Sequence, residues 1–170
     1  LIEDALRMYV SGFQAKDIVV AREYLDEPII AADKHRVLQI VANLIANAQD
    51  SVLEAARPEG KITLRIALVG DARVRLEVAD DGVGIHPDNL TRIFSHGFTT
   101  KRDGHGFGLH YSALAAREMV GSLTAESDGE NCGATFVLEL PLSPPQTGRA
   151  SSVLPQNGSE TTGSLDRRPG

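Results

Sequence analysis

The sequence lacks the features of a secreted or membrane-spanning segment. No apolar run approaches the roughly 20 residues that cross a bilayer, and the single cysteine, Cys132, excludes an intrachain disulfide and fits a reducing compartment. The first ten residues do not form a secretory signal, because Glu3, Asp4 and Arg7 interrupt them. We therefore expect a cytoplasmic location and no direct membrane contact for this segment.

Positive charge is scarce as well. The 170 residues include 17 lysines and arginines against 23 aspartates and glutamates, which gives a net charge of -6. Phosphate binding along a nucleic acid requires clustered positive charge, so the composition argues against nucleic acid as the main partner. The length favours one domain. Because the first residue is Leu1 rather than Met, we expect a piece of a longer protein.

Residues 143–170 differ in composition from the rest of the chain. More than half of them are Pro, Gly, Ser or Thr, and only Val153, Leu154 and Leu165 are large aliphatic residues. Such a segment cannot bury enough apolar surface to offset its ordering entropy, which predicts a disordered tail. The folded unit is then expected over about residues 1–142, beginning with a short helix or linker at residues 1–16.

The hydrophobic pattern before this tail predicts a mixture of helices and strands. Helices are predicted over residues 1–14, from the cap Asp33 to about Ala56, and over 109–120. Strands are predicted at 18–24, 28–31, 62–68, 73–80, 123–127 and 134–140, with 62–68 and 73–80 forming a hairpin. This order favours an α/β (α+β) two-layer sandwich, in which helices cover one face of a mixed sheet.

A carboxylate ends the predicted strand over residues 73–80. Three apolar residues of this strand alternate towards the core, and Asp80 continues in the same phase. A buried carboxylate is costly unless it has a partner. Asp80 therefore either caps the following turn or binds a ligand, and Gly82 and Gly84 would let the backbone bend close to a flat group.

The long predicted helix carries two asparagines one turn apart. Asn43 and Asn47, followed by Asp50, lie on a stripe that is separate from the apolar one. Asn is unfavourable inside a helix because its side chain competes for backbone hydrogen bonds, so the pair is either solvated or functional. A neutral amide oxygen suits Mg²⁺ that keeps water and phosphate oxygens as its other ligands.

A glycine-rich segment, residues 104–109, opens the last predicted helix. Glycines at a helix N-terminus leave N–H groups free at the positive end of the helix dipole, which suits a triphosphate. The alternative is a flexible hinge. The segment is not a P-loop, since no Gly-Lys-Ser/Thr follows it.

Taken together and in this order, the motifs resemble the ATP-binding catalytic domain of bacterial sensor histidine kinases, within the GHKL (Bergerat-fold) superfamily. Residues 38–48 resemble its N box, and residues 80–85 and 104–109 resemble its two glycine boxes. Ile93 and Phe94, together with residues 97–101, resemble its F box. The resemblance covers about residues 17–142 and implies the Bergerat fold with a flexible ATP lid at residues 95–105.

The resemblance implies ATP and Mg²⁺ as cofactors and a role for individual residues. Asp80 would accept a hydrogen bond from the adenine amino group with assistance from Thr135, Ile85 would pack on the purine, and Asn47 would coordinate Mg²⁺. The implied catalytic residues are Asn43, Asn47 and Lys101. The implied cofactor-binding residues are Asn43, Asn47, Asp80, Gly82, Gly84, Ile85, Thr99, Thr100, Lys101, Gly104, His105, Gly106, Phe107, Gly108, Leu109 and Thr135.

One position separates a kinase from an ATPase within the superfamily. Members that hydrolyse ATP typically carry Glu four residues before the metal-binding Asn, and this chain has Asn43 there. An amide cannot accept a proton from water, whereas a neutral histidine nitrogen is already nucleophilic near neutral pH. The resemblance therefore implies a protein-histidine kinase domain. A GHKL-type ATPase and a non-catalytic nucleotide-binding regulatory module remain as alternatives.

Asp50 departs from the family pattern, in which many histidine kinases place a Lys. Because an acidic group is unfavourable beside a triphosphate, we expect Asp50 to point away and Lys101 and Arg102 to provide the positive charge. Phe94 and Phe98 are expected to couple the order of the lid to a helical domain.

The resemblance also implies partners outside this chain. The family's phosphoacceptor histidine lies on a separate helical domain, and no histidine precedes Asp33 here. His96, His105 and His110 are therefore not expected to accept the phosphoryl group. The expected partners are the dimerisation and phosphoacceptor helices of the same protein, in a homodimeric parent, and the receiver domain of a response regulator in a two-component phosphorelay.

Overall fold

The computed structural model describes residues 1–14, 17–101 and 104–142. The helices are α1 (Ile2–Arg7), α2 (Val10–Gln14), α3 (Lys34–Glu54) and α4 (Gly108–Glu118), with a short 3-10 turn at Pro87–Asn89. The strands are β1 (Ile18–Tyr24), β2 (Gly60–Val69), β3 (Arg73–Asp80), β4 (Ser122–Glu126) and β5 (Ala134–Pro141). The predicted tail and Arg102 lie outside the described residues.

The strands form one mixed sheet in the order β1-β2-β3-β5-β4. The β1–β2 pair is parallel and the other three pairs are antiparallel. Rows of apolar side chains cross the inner face, as where Leu64, Val78 and Phe136 lie side by side and buried. α3 packs on β2 and β3, and α4 packs on β4 and β5, over this face.

The outer face of the sheet carries ion pairs. Arg65 pairs with Glu23 and Glu77 on the neighbouring strands, and Arg75 pairs with Glu139 at 2.7 Å. Because alternate residues of a strand point to opposite faces, the charged positions alternate with the core positions. The predicted two-layer sandwich, with helices on one face of a mixed sheet, is therefore confirmed.

α3 is the central element of the helical layer. Asp33 caps it as predicted, because its Oδ1 accepts hydrogen bonds from the backbone N–H groups of His35 at 2.9 Å and Arg36 at 3.2 Å. The helix ends at Glu54, two residues before the predicted end. Its buried residues form one stripe: Val37, Ile40, Val41, Leu44, Ile45, Ala48 and Val52.

Two predicted elements differ in the structure. The single helix predicted over residues 1–14 is two short helices, since Met8 and Tyr9 donate backbone hydrogen bonds three residues back and close α1 before α2 begins. Residues 28–31 are not a strand. The side chain of Ile29 is 94% exposed. The segment makes one backbone hydrogen bond, from Ala31 N to Leu142 O, instead of the series of bonds that joins paired strands.

None of the described helices combines the length and the apolar character needed to cross a bilayer.

Candidate functional site

Asp80 lies at the end of β3, 9% exposed and facing α3. Ser51 Oγ donates to Asp80 Oδ1 at 2.8 Å, and Gly82 N donates to the same oxygen at 2.9 Å. The other oxygen, Oδ2, is buried without a hydrogen-bond partner among the described residues. Burial raises the pKa of Asp80 above the usual carboxyl value, although the hydrogen bonds from Ser51 and Gly82 and the nearby backbone N–H of Ala134 act in the opposite direction. Oδ2 is therefore an acceptor that a ligand N–H group could use.

Ser51 is a site residue that the sequence analysis missed. It follows Asn43 and Asn47 at a further interval of four residues on α3, so the helical spacing could have identified it. Four residues rise about 6 Å along a helix, which places Asn47 roughly one turn from the contact with Asp80.

The two glycines after Asp80 are required by packing within the protein. A Cβ at Gly82 would overlap the hydroxyl and backbone of Ser51, so only glycine lets the loop approach α3 this closely. Gly84 has a φ of 70°, and a Cβ there would overlap the carbonyl oxygen of Gly129. These contacts explain both glycines without a ligand and leave their predicted contact with nucleotide untested.

Thr135 lies on a different face from the one its predicted role requires. In the β3–β5 register Asp80 pairs with Ala134, whereas Thr135 pairs with Ala79. Both Asp80 and Thr135 line a cavity of about 170 Å³ at the strand ends, but strand alternation points their side chains to opposite faces of the sheet. We correct the prediction accordingly: Ala134, which has no hydroxyl, stands beside Asp80. Ile85 is half-buried against the core, and its N–H donates to Ser127 Oγ at 3.0 Å.

The other predicted residues meet at a second cavity, of about 330 Å³, farther along α3. Its wall combines Asn43 and Asn47 with residues 99–101 and 104–109, so the structure brings the predicted N box, F box and second glycine box together. No side chain caps the N-terminus of α4 at this wall. The first backbone N–H groups of a helix suit an anion when nothing caps them.

Asn43 joins α3 to α4. Its Nδ2 donates to Ser112 Oγ at 3.0 Å, and a Cβ at Gly108 would overlap Asn43 Oδ1. The glycine at the start of α4 is thus explained by this close approach. Asn43 therefore has a clear packing role in addition to its predicted contact with cofactor.

Asn47 and Asp50 both contact Lys101. Lys101 Nζ donates to Asn47 Oδ1 at 3.0 Å and to Asp50 Oδ2 at 2.6 Å. Asp50 does not line this cavity, although it contacts Lys101, which does, so the expectation that Asp50 points away from the phosphates stays a prediction. Asn47 Nδ2 is buried and has no hydrogen-bond partner among the described residues.

A backbone hydrogen bond links the two ends of the segment that precedes α4. Gly97 N donates to Gly106 O at 3.1 Å, and Gly106 has a φ of 70° with no room for a Cβ against Gly97. The ring of Phe98 lies beneath the guanidinium of Arg92, 4.9 Å from its carbon. The described ends of the predicted lid thus have a defined arrangement against α3 and α4.

The sequence over most of this fold matches a known family. Residues 32–144 match the sequence pattern of the family described as Histidine kinase-, DNA gyrase B-, and HSP90-like ATPase. The chain belongs to this family. The predicted family is confirmed, and the matched region contains both cavities and every predicted site residue.

Relatives named as sensor kinases share this region. The two-component sensor PprA of Pseudomonas aeruginosa is 40% identical over 121 residues, which cover 69% of this chain and 13% of PprA. The sensor histidine kinase ZraS of Escherichia coli is 36% identical over 143 residues, which cover 84% of this chain and 30% of ZraS. The chain spans less than a third of the length of these relatives.

Solved structures share the fold. The catalytic domain of histidine kinase ThkA aligns with a TM-score of 0.73 at 28% identity, covering 84% of this chain and 92% of that domain. Full-length ShkA in complex with AMPPNP aligns with a TM-score of 0.74 at 28% identity, covering 84% of this chain and 29% of ShkA. The interpretation as the catalytic domain of a sensor histidine kinase is confirmed, while the roles of individual residues stay predictions.

Proposed function

We propose that this chain binds Mg·ATP and transfers the γ-phosphoryl group to a histidine on a separate helical domain of its parent protein. The observation that carries the proposal is the buried Asp80 Oδ2 at the end of β3, an acceptor that has no hydrogen-bond partner among the described residues. A buried polar atom without a partner is unfavourable in the free protein, so a ligand that provides the missing donor gains affinity.

Adenine fits this acceptor chemically. Its exocyclic amino group would donate to Asp80 Oδ2, while Ser51 and Gly82 hold the other oxygen in place. A guanine carbonyl at the same position would oppose the carboxylate, because neither group has a proton to donate. The site is therefore expected to select ATP over GTP. The half-buried Ile85 would pack on the base.

The cavity beside Asn47 fits the phosphates and Mg²⁺. Asn47 Oδ1 is a neutral oxygen of the kind that Mg²⁺ accepts, and the described residues contain no group of three or more His, Cys, Asp or Glu side chains that could hold a metal alone. Phosphate oxygens and water would complete the coordination. When bound, Mg²⁺ would neutralise negative charge on the phosphates. The uncapped start of α4 and Lys101 add positive potential at the same cavity.

Transfer to histidine is favoured over hydrolysis by the surroundings of Asn43. Its amide is engaged with Ser112 and packed against Gly108, and an amide has no capacity to take a proton from water. A neutral imidazole nitrogen needs no such base. The proposed partners are therefore the helical domain of a homodimeric parent and a response regulator receiver domain. Because ATP and receiver domains are cytosolic, the reaction places this chain on the cytoplasmic side.

Calorimetric titration of the full chain tests the adenine site. Mg·ATP is expected to bind the native chain at least about tenfold more tightly than Mg·GTP, because only ATP donates to Asp80. Asp80→Asn is expected to abolish ATP binding, since the new amide can turn an N–H against the adenine amino group. Asp81→Asn changes the neighbouring carboxylate in the same way and is expected to leave binding intact. No binding by the native chain, or equal binding by both aspartate variants, would contradict the proposal.

A further inference from the structure

Lys101 is held by two residues of α3 that are three positions apart. Its ammonium lies 2.6 Å from Asp50 Oδ2 and 3.0 Å from Asn47 Oδ1. Three residues correspond to most of one helical turn, so both acceptors face the same side of α3. The contact joins α3 to the segment before α4 at the edge of the larger cavity.

The backbone around Lys101 is organised by local hydrogen bonds. Lys101 N donates to Thr99 Oγ1 at 3.1 Å, and Gly104 N donates to Lys101 O at 3.3 Å. Farther back, Gly97 N donates to Gly106 O at 3.1 Å. These bonds shape the segment but do not themselves reach α3. The side chain of Lys101 provides that link.

The charges of Lys101 and Asp50 also bear on the role of their contact. Asp50 does not itself line the cavity, but its carboxylate contacts Lys101, which does, so without Lys101 it would be an uncompensated negative charge near bound phosphates. With Lys101 attached, the pair is neutral and its ammonium stands at the cavity. Lys101 and Asp50 are 38% and 53% exposed, and exposed ion pairs contribute little to folding. The contact between Lys101 and Asp50 is therefore better explained by where it places the ammonium than by a contribution to folding stability.

We propose that Asp50 is a positioning residue, which holds the ammonium of Lys101 at the mouth of the phosphate cavity. This inference rests on the proposed function. Asn47 Oδ1 accepts from Lys101 in the free protein and is also the oxygen proposed for Mg²⁺. If Asn47 Oδ1 held the metal instead, Asp50 would remain as the partner that keeps Lys101 within reach of the phosphates. The positive charge at this part of α3 thus comes from Lys101 of the lid segment rather than from a residue of the helix.

Hydrogen exchange of the nucleotide-free chain tests the link without any cofactor. The backbone amides of Gly97, Lys101 and Gly104 report on the segment, because each donates one of its hydrogen bonds. Asp50→Asn is expected to speed their exchange about threefold or more, since a neutral amide holds the ammonium weakly. Glu54→Gln removes the same charge from an exposed position one turn farther along α3 and serves as the control. Unchanged exchange in Asp50→Asn would overturn the inference.

A double-mutant cycle on Mg·ATP affinity tests the placement of charge. Lys101→Met is expected to weaken binding by about tenfold or more, because it exposes Asp50 to the phosphates. Adding Asp50→Asn to that variant is expected to restore at least about threefold, as coupled neighbours are non-additive. Losses that simply multiply, as for residues that act separately, would overturn the inference. Failure of the native chain to bind Mg·ATP would instead overturn the proposed function, and the exchange measurement would still decide the role of Asp50.

Discussion

A single carboxylate oxygen gives the proposed adenine site its chemistry. Asp80 Oδ1 accepts two hydrogen bonds, from Ser51 and Gly82, while Oδ2 is buried and has no hydrogen-bond partner in the part of the chain that the structure describes. The cost of burying the carboxylate appears as its raised pKa. A ligand that donates to Oδ2 recovers part of that cost.

The raised pKa of Asp80 predicts how binding and stability depend on pH. Burial lifts it above the ordinary value of 3.8, so between the two pKa values the folded chain holds more protons than the unfolded chain. The free energy of unfolding contributed by this group therefore falls as pH rises through that window. Binding of Mg·ATP should change in the opposite direction and strengthen, because only the ionised carboxylate is a full acceptor.

Titrations at a series of acidic to neutral pH values check this prediction, with the denaturant midpoint of the free chain measured in parallel. Asp81→Asn retains Asp80 and is therefore expected to follow the native pH profile. A native affinity that does not rise with pH through the acidic range would contradict the assignment of Asp80 as acceptor.

At the level of elements, α3 organises both cavities. One stripe of the helix is buried in the core, while Asn43, Asn47 and Ser51 occupy another stripe and contact α4, the lid segment and β3 in turn. Because a helix is rigid over this length, the spacing between the two cavities is set by α3 rather than by the loops. The loop after β3 is then fitted between α3 and the turn before β5.

Within this loop, Gly84 makes the closest approach to the turn before β5. Gly84→Ala is expected to destabilise the chain by about 2 kcal/mol or more, because the new Cβ overlaps Gly129 in a strained backbone conformation. Gly70 has a similar φ of 58° but open space around it, so Gly70→Ala is expected to lose only about 1 kcal/mol. Equilibrium unfolding in denaturant measures both. Equal losses would show that the contact with Gly129 does not matter.

The strands and helices were predictable because their signals are local. The alternation of β3 and the cap at Asp33 depend on a few adjacent residues, and both are confirmed. The strand predicted at residues 28–31 is wrong, because an apolar run resembles a strand whether or not a partner strand lies beside it. The break between α1 and α2 was missed for a related reason, since six- and five-residue helices depend on packing rather than on propensity.

For the whole molecule, the helices cover one face of the sheet, while the other face carries ion pairs such as Arg75–Glu139. On the proposed function, the chain has a site for a donor nucleotide but no histidine placed to receive the phosphoryl group. Its chemistry is then completed only by another domain.

The isolated chain is accordingly expected to bind Mg·ATP without turning it over. Neither steady phosphate release nor an acid-labile phosphoryl group on the chain is expected, because Asn43 offers no base for water. A phosphate-release assay and acid–base stability of any radiolabel incorporated from γ-labelled ATP measure the two. Continuous phosphate release that Asp80→Asn abolishes would favour the ATPase alternative.

The sequence by itself determined most of the order of elements and carried the motifs by which the chain resembles its family, because periodicity, caps and glycine spacing depend on neighbouring residues. Only the tertiary structure decided which side chains meet. Ser51 contacts Asp80, Ala134 rather than Thr135 pairs with Asp80 in the strand register, and Lys101 contacts Asp50. Such contacts join residues far apart in the chain. They depend on the strand register and on the approach of helices, which no local pattern encodes.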